Sequence, residues 1–194
     1  MTWLQPITLR NPRATLEPLS LARHDDLVEA VQDGELWKLW YTRIPSPETM
    51  RVEIERRLAL QVKGSMLPFA VVDNITGRAV GMTTYMNVDD VNHRVEIGST
   101  WYRKAVQRSD LNTQCKLSLL THAFDTLGCI AVEFRTHFFN HQSRKAIERL
   151  GAKLDGILRS HQLIDNGSLR DTCVYSVIAC EWPAVRAHLQ AAIR

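Results

Sequence analysis

Residues 101–113 read WYRKAVQRSDLNT, and the expectations for the rest of the chain start from this stretch. Before it, an apolar segment with Val95 and Ile97 predicts a strand that runs to Trp101. After it, apolar side chains recur on one helix face, at Leu117, Leu120, Phe124 and Leu127. A strand, a short polar turn and a helix N-terminus can hold phosphate, because the first N–H groups of a helix have no partners within it. The stretch therefore predicts a phosphate-binding turn.

The overall composition indicates one folded domain, residues 1–194, and no membrane span. Hydrophobic residues make up 45% and charged residues 23% of the 194 positions, which is ordinary for a soluble globular protein. The net charge of +3 is too small for the basic face of a nucleic-acid binder. No apolar run reaches the ~18 residues of a membrane helix, and the first residues have no signal-peptide core, so we expect a cytoplasmic protein.

The cysteine pattern argues against a metal site and against a disulfide framework. The four cysteines are Cys115, Cys129, Cys173 and Cys180, with no C-x-x-C and no zinc-type spacing. Three of them lie within apolar stretches, which favours buried free thiols in a reducing compartment over a catalytic role. We therefore expect no bound metal.

Hydrophobic periodicity predicts an α+β fold in which antiparallel strands are the majority. Residues 1–13 are predicted to be a loose entry to the fold, that is, a segment without regular secondary structure. Ser46, as the N-cap, and Pro47, at the first helical position, predict a helix start. Strands are predicted at residues 15–19, 69–73, 79–87, 94–101, 130–136, 153–164 and 169–178. Helices are predicted at residues 25–33, 46–62, 113–127 and 140–150, with a last one from Glu181.

This order of elements, with a polar turn after the third strand of a meander, resembles the GNAT N-acetyltransferase superfamily. The most specific part is residues 140–151, NHQSRKAIERLG, which follow the pattern N-x-x-S-x-x-A-x-x-x-x-G of the branch that acetylates the N-termini of ribosomal proteins. Glu96-Ile97-Gly98 and residues 170–176 also agree with it. The resemblance implies a single-domain α+β fold, with a mostly antiparallel twisted sheet of about seven strands flanked by helices.

The resemblance also implies a function and a set of binding residues. The chain would transfer an acetyl group from acetyl-CoA to a primary amine, by direct attack in a ternary complex. Coenzyme A would be held by the turn and by the helix after Asn140. The residues implied for this role are Trp101, Tyr102, Arg103, Gln107, Arg108, Ser109, Asp110, Leu111, Asn112, Thr113, Asn140, Ser143 and Ile147. Arg144 or Arg149 would reach the adenosine 3′-phosphate.

The turn departs from the family pattern Q/R-x-x-G-x-G/A, because neither glycine is present. Glycine serves such turns by allowing positive φ and a close approach of the backbone to a ligand. Asp110 and Asn112 tolerate the left-handed region best among other residues, so the backbone path could be kept. Both are also good helix caps, and a capping side chain would occupy N–H groups that a pyrophosphate needs. We expect Asp110 to turn away, with Arg103, Lys104 and Arg108 offsetting its charge.

Acetyl transfer to an amine needs a neutral amine, a donor for the oxyanion and a proton source for the leaving thiolate. The family suggests Ser143 as the proton donor, although an Asn followed by a Ser also reads as a helix cap. Glu96 is the candidate base, or the residue that holds a water acting as base. The alternative is that Glu96 is only a solvent-exposed strand residue with no role in the reaction. His137 and a water-mediated route stay open as alternatives. At pH 7 roughly one-tenth of α-amines are neutral, but only about 4 in 10,000 lysine side chains are. An N-terminal amine can therefore be deprotonated by a weaker base than a lysine needs.

The acceptor, the partners and one competing function stay open. The acceptor is a protein N-terminus or a small-molecule amine, and the aromatic cluster of Trp37, Trp40 and Tyr41 would wall its pocket or pack the first helices. Sheet edges and the last hairpin would allow a homodimer, and no nucleic acid or membrane partner is expected. The alternative function is a non-catalytic acyl-CoA-binding or protein-interaction module with a degenerate turn.

Overall fold

One sheet runs through the part of the chain that the structure, a computed structural model, describes, residues 3–193. Its eight strands lie in the order β1-β2-β3-β4-β5-β6-β8-β7. Their bounds are β1 Leu9–Arg10, β2 Ala14–Pro18, β3 Met66–Asp73, β4 Ala79–Asp89, β5 Arg94–Tyr102, β6 Ala131–His137, β7 Lys153–Leu163 and β8 Leu169–Ile178. All neighbouring strands are antiparallel except β5 and β6, which are parallel.

Helices cover both faces of this sheet. They are α1 His24–Gln32, α2 Met50–Val62, α3 Leu111–Thr121, α4 His141–Arg149 and α5 Trp182–Ala192. Successive strand residues point to opposite faces, so Phe69 joins the core under α3, while Ala70 joins the core under α1 and α2. The larger core also contains Leu111 and Leu119 of α3, and both side chains are fully buried. The two cores fix where β4, β5 and α3 meet.

The predicted α+β fold and its mostly antiparallel sheet are confirmed, and each predicted strand and helix has a counterpart. The sheet has one strand more than the seven predicted, because Leu9–Arg10 pairs with β2. The expectation of a loose entry over residues 1–13 is therefore wrong for this part, and residues 1–2 lie outside the described chain. Cys115, Cys129 and Cys173 are buried free thiols as expected, and Cys180 is exposed.

Two helix boundaries differ from the prediction. The helix after Pro47 begins at Met50, because Ser46 and Thr49 close a turn of their own, with the Ser46 N–H donating to Thr49 Oγ1 at 2.9 Å. The helix predicted at residues 113–127 begins earlier, at Leu111, and its last turn, His122–Thr126, widens to a π-helix. Such a widened turn inserts an extra residue into the helical pattern, which the sequence periodicity does not reveal.

The outer strand β7 forms one edge of the sheet. All its residues but Gly156 are exposed, so this edge is open in the single chain. The expected homodimer stays a prediction. Among residues 3–193, none of the helices combines the length and hydrophobicity of a membrane span.

Candidate active site

The parallel strands β5 and β6 separate partway along the sheet and open a cavity between them. They pair only from Arg94 to Glu96 on β5, with Ala131 to Glu133 on β6. Beyond this point, residues 97–102 of β5 keep their pairing with β4 but have no partner strand on the other side. A cavity of about 330 Å³ lies at this opening. The sheet thus presents an unpaired strand edge to whatever enters the cavity.

A bulge in β5 shapes one wall of this opening. The pairing of β4 with β5 shifts register between Met82 and Thr84, and Ser99 takes a left-handed φ of 48°. Arg57 of α2 is 1% exposed and donates to Thr84 Oγ1 at 2.9 Å and to the Ser99 carbonyl oxygen at 3.3 Å. Its own charge is balanced by Glu53 at 2.7 Å. A bulge bends its strand, so these contacts hold the bent wall in place.

Glu96 lies in the cavity wall and is 5% exposed, so the solvated alternative is excluded. Asn87 donates to its Oε2 at 2.7 Å, and Arg135 Nε lies 3.6 Å from the same oxygen. Burial raises the pKa of Glu96, while the Asn87 hydrogen bond and the Arg135 charge act against this rise. A Cβ at position 98 would lie 2.9 Å from Glu96 Oε1, so Gly98 leaves room for this carboxylate where it now lies. The site therefore holds a fixed carboxylate with an elevated pKa.

The start of α4 brings Asn140, Ser143 and Ile147 to the same cavity. The Ser143 N–H donates to Asn140 Oδ1 at 3.0 Å, so Asn140 does cap the helix. Capping uses only the amide oxygen, and the amide NH₂ is left for a ligand. The cap and the binding role are therefore compatible for Asn140, and the Ser143 hydroxyl reaches the cavity.

His137, at the end of β6, also lines the cavity and is 3% exposed. Its Nδ1 accepts the Phe139 N–H at 3.1 Å, which assigns the ring proton to Nε2. Burial and the nearby Arg170 charge lower the pKa of His137, so the ring is neutral at pH 7. In this tautomer Nε2 carries the proton and is buried without a hydrogen-bond partner among the described residues, which argues against the general-base alternative.

The turn before α3 leaves its helix N–H groups free of Asp110. The Asp110 carboxylate accepts from Gln114 Nε2 at 2.5 Å, lies 3.8 Å from Arg13 Nε, and makes no capping hydrogen bond. Ser109 Oγ instead accepts the Leu111 N–H at 3.3 Å. Asp110 is right-handed with φ −75°, so the turn does not use its tolerance of the left-handed region. Arg108 holds the left-handed position, with φ 61°.

The side chains of the turn region contribute less to the cavity than expected. Trp101 lines it, whereas residues 102–113 do not. The Tyr102 and Leu111 side chains are core residues. Arg103 does not offset Asp110, because it is paired with Asp33 at 3.1 Å and Glu29 at 3.4 Å. The turn can therefore act on a ligand mainly through its main chain.

A contact across the opening links the turn to α4. Gln142 Nε2 lies 3.5 Å from Gln107 Oε1, and Gln107 Nε2 donates to the Tyr102 carbonyl oxygen at 2.9 Å. Asn112 and Thr113 lie in the first turn of α3, where main-chain N–H groups lack helical partners. The turn and the α4 start therefore face each other across one groove.

The aromatic cluster divides between two roles. Tyr41 lines the cavity, and the Trp40 ring lies edge-on to His137 with centroids 5.2 Å apart, whereas Trp37 packs on the core under α1 and α2. Arg144 is not free for a phosphate, because it donates to Tyr175 Oη at 3.1 Å and to the Phe138 carbonyl oxygen at 3.3 Å. Arg149 is exposed on the outer face of α4.

Three polar residues of the cavity were not singled out by any motif in the sequence. They are Asn87, Lys116 and Arg135. Each comes from a different element, and only the folded sheet and α3 bring them together. Of these residues, only Lys116 could have been noticed from the helical periodicity, because it is a charged residue on the apolar face of α3. Among residues 3–193, no group of three or more His, Cys, Asp or Glu side chains could hold a metal ion.

Comparisons with known proteins agree with this geometry. The model of the acetyltransferase (GNAT) domain matches residues 13–153. A protein of Bacillus subtilis (strain 168), YdaF, which carries the provisional name ribosomal N-acetyltransferase, is 32% identical over 106 residues. That alignment covers 55% of this chain and 57% of the relative, so it spans just over half of each. The uncharacterized N-acetyltransferase p20 of Bacillus licheniformis is 24% identical over 90% of this chain and 98% of its own.

Solved structures support the same family. A GCN5-related N-acetyltransferase from Brucella melitensis superposes with a TM-score of 0.88 at 28% identity, covering 98% of this chain and 87% of its own. RimJ of Mycobacterium smegmatis, solved in complex with CoA-disulfide, shares the fold with a TM-score of 0.79 at 20% identity, covering 96% and 93%. The predicted family is confirmed, and the chain belongs to the GNAT family of N-acetyltransferases.

Proposed function

We propose that this chain transfers an acetyl group from acetyl-CoA to a primary amine bound in the same cavity. The observation that carries the proposal is the opening between β5 and β6. It puts an unpaired strand edge, the buried Glu96 and the start of α4 around one space. A chain of amide groups such as the pantetheine arm suits an unpaired strand edge, because both offer N–H donors and C=O acceptors.

The residues fit coenzyme A along this opening. The main-chain N–H groups of Asn112 and Thr113 would meet the pyrophosphate, since Asp110 does not occupy them and Ser109 accepts only that of Leu111. Residues 97–102 of β5 and the Asn140 amide would hold the pantetheine arm, with Ile147 packing beside it. Of the two arginines considered for the 3′-phosphate, only Arg149 is uncommitted. Acetyl-CoA supplies the activated acetyl group.

The chemistry would be divided between Glu96 and Ser143. The Glu96 carboxylate would accept a proton from the amine, directly or through water, and its raised pKa makes it a better base than an exposed glutamate. The Ser143 hydroxyl would donate to the departing sulfur. His137 would act as a neutral hydrogen-bond donor through Nε2. No step requires a covalent enzyme intermediate, so both substrates would be bound together.

The acceptor proposed is an α-amine, as at the N-terminus of a peptide. Such an amine is already partly neutral near pH 7 and needs only a modest base. The name of the YdaF relative points in the same direction. Small-molecule amines stay the alternative.

The test combines calorimetry with a thiol-release assay. We expect CoA and acetyl-CoA to bind, and thiol release to rise with peptides that carry a free N-terminus but not with N-acetylated controls. Binding without thiol release across peptides, polyamines and aminoglycosides would favour the non-catalytic acyl-CoA-binding module. Absence of binding at near-millimolar ligand would contradict both functions.

A further inference from the structure

Lys116 of α3 is a buried cation that the acetyl transfer described above does not use. The side chain is 5% exposed and lines the cavity. Its Nζ donates to Thr83 Oγ1 at 3.0 Å and to Thr100 Oγ1 at 2.9 Å. An ammonium group has three N–H donors, so one remains. Within residues 3–193 this third donor has no partner, and no carboxylate lies within ion-pair distance of Nζ.

A purely structural role explains Lys116 poorly. Thr83 and Thr100 already bond each other, with hydroxyl oxygens 2.8 Å apart, so β4 and β5 do not need the ammonium to be joined at this point. Burying a charge without a counter-charge is unfavourable, and an apolar side chain would fill the same space at lower cost. Burial lowers the pKa of Lys116 to about 8, so most molecules still carry the charge at pH 7. A negatively charged group of a bound ligand would supply the counter-charge that Lys116 lacks within the described residues.

The charges of the cavity wall agree with an anionic partner. The wall carries Arg43, Lys116, Arg135 and Arg170 but only one carboxylate, Glu96. Two of the arginines are balanced from outside the wall, Arg135 by Glu133 at 2.9 Å and Arg43 by Asp165 at 3.2 Å. Arg170 and Lys116 have no ion pair among the described residues. The cavity therefore has an excess of positive charge where its ligand would lie.

We propose that Lys116 binds a carboxylate group of a substrate in this cavity, and that the reaction takes a carboxylate-bearing substrate. The inference rests on the proposed function and narrows its substrate class. The carboxylate has two chemical sources, the far end of a dicarboxylic acyl chain on coenzyme A or an acidic group on the amine acceptor. In both cases the third N–H donor of Lys116 makes a charge-assisted hydrogen bond.

The first arm of the experiment tests the acyl chain. Calorimetry at pH 7 compares succinyl-CoA with butyryl-CoA, which lacks the terminal carboxylate, and uses CoA as the reference. If the acyl chain is the source, succinyl-CoA binds about tenfold tighter or more, as expected for a hydrogen bond to a charged group. Lys116→Met removes this difference.

The second arm tests the acceptor. Thiol release from acetyl-CoA is measured with paired peptides that begin with Asp or Asn and with Glu or Gln. If the acceptor is the source, kcat/KM for the acidic member is about tenfold higher or more. In the Lys116→Met variant, kcat/KM becomes equal for the two peptides of each pair.

Controls separate the outcomes. Lys63→Met replaces an exposed lysine outside the cavity and keeps the preference of the wild type. Lys116→Gln is the second cavity variant if Lys116→Met fails to fold, and the wild-type comparison by itself decides whether a preference exists. CoA binding with no carboxylate preference in either arm overturns this inference and leaves the proposed function standing. Absence of CoA binding contradicts the proposed function and this inference with it.

Discussion

The turn at residues 107–113 and the cavity between β5 and β6 differ in the atoms they present to a ligand. At the turn, Leu111 is buried in the core and the Asp110 carboxylate is held by Gln114, which leaves main-chain N–H groups facing outward. In the cavity, side chains are presented beside the main-chain edge of β5, and neighbours fix these side chains, as Asn87 fixes Glu96. A main-chain site tolerates any residue that keeps its φ and ψ, while a side-chain site does not. This contrast explains how the turn can lack both family glycines while the pattern at residues 140–151 is kept.

The largest expected effect in the cavity is that of Glu96→Gln. The glutamine has the shape of Glu96, and its amide oxygen can still accept the hydrogen bond from Asn87, but it cannot accept a proton. If Glu96 is the base, turnover therefore falls by about 10²–10⁴-fold. The KM for acetyl-CoA changes little, because the carboxylate is not expected to bind the cofactor. Steady-state thiol release measures both constants. Glu55→Gln, on the exposed side of α2, is the control, and a Glu96→Gln variant with more than half of the wild-type turnover would contradict the role.

A second cavity effect concerns stability and pH. The pKa of Lys116 is about 8 in the folded protein and 10.5 ordinarily, so below pH 8 the fold carries a buried charge that the unfolded chain solvates. Between pH 8 and 10.5 the unfolded chain binds more protons than the folded protein, and the free energy of unfolding therefore rises with pH. Relative to Lys116→Met, the wild type gains up to about 3 kcal/mol across this range.

Urea unfolding of both proteins at pH 7 and pH 10 measures this gain. Titrations of other groups cancel in the difference between wild type and variant. Lys63→Met, at an exposed lysine, is the control. A pH-independent difference for Lys116→Met would show that the amine has the same protonation in the folded and unfolded chain, and would contradict the lowered pKa.

The Ser143→Ala variant separates a proton donor from a binding residue. As a donor to the leaving sulfur, Ser143 acts in the transition state, so its loss lowers kcat by about 10- to 100-fold while the Kd of CoA changes by less than about threefold. Calorimetry and thiol release together give the two numbers. Ser20→Ala, on an exposed loop, is the matched control. Equal losses in kcat and affinity would reduce Ser143 to a binding residue.

The smallest effect is expected at the turn, from Asp110→Asn. Removing a carboxylate near the pyrophosphate relieves a screened repulsion and tightens CoA binding by about two- to fivefold at low salt, with less effect at high salt. Calorimetry at two ionic strengths measures it, and Asp25→Asn on α1 serves as the control. A tenfold loss of affinity instead would mean that the turn depends on this side chain, and the contrast between the two regions would fail.

Local patterns predicted the fold and part of the site. The alternating strands, the Asn-Gly hairpin at residues 165–167 and the helix after Asn140 depend on neighbours along the chain, so the sequence carries their signals. Asn140 and Ser143 meet in the cavity for the same reason, because one helical turn sets their spacing. The bounds at Met50 and Leu111 were predicted less well, since the hydroxyls of Thr49 and Ser109 form turns that override the expected caps.

The rest of the site depends on contacts far apart in sequence. Lys116 meets Thr83 across 33 positions, and Arg57 reaches the Ser99 carbonyl across 42. Sequence periodicity cannot predict such contacts, because it depends only on residues that are close together along the chain. The tautomer of His137 is likewise set by the main chain of Phe139, which only the folded loop brings into place. Pairings of this kind need the three-dimensional structure.

The separation of β5 from β6 leaves main-chain amides unprotected in the middle of the sheet. Open strand edges usually lie at the outside of a sheet, where charges and loops shield them. Here residues 97–102 have one side without a partner strand at the centre of the fold. A ligand that fills the opening would act as a missing strand, so deuterium uptake by these amides would slow on binding and the melting temperature would rise with ligand concentration.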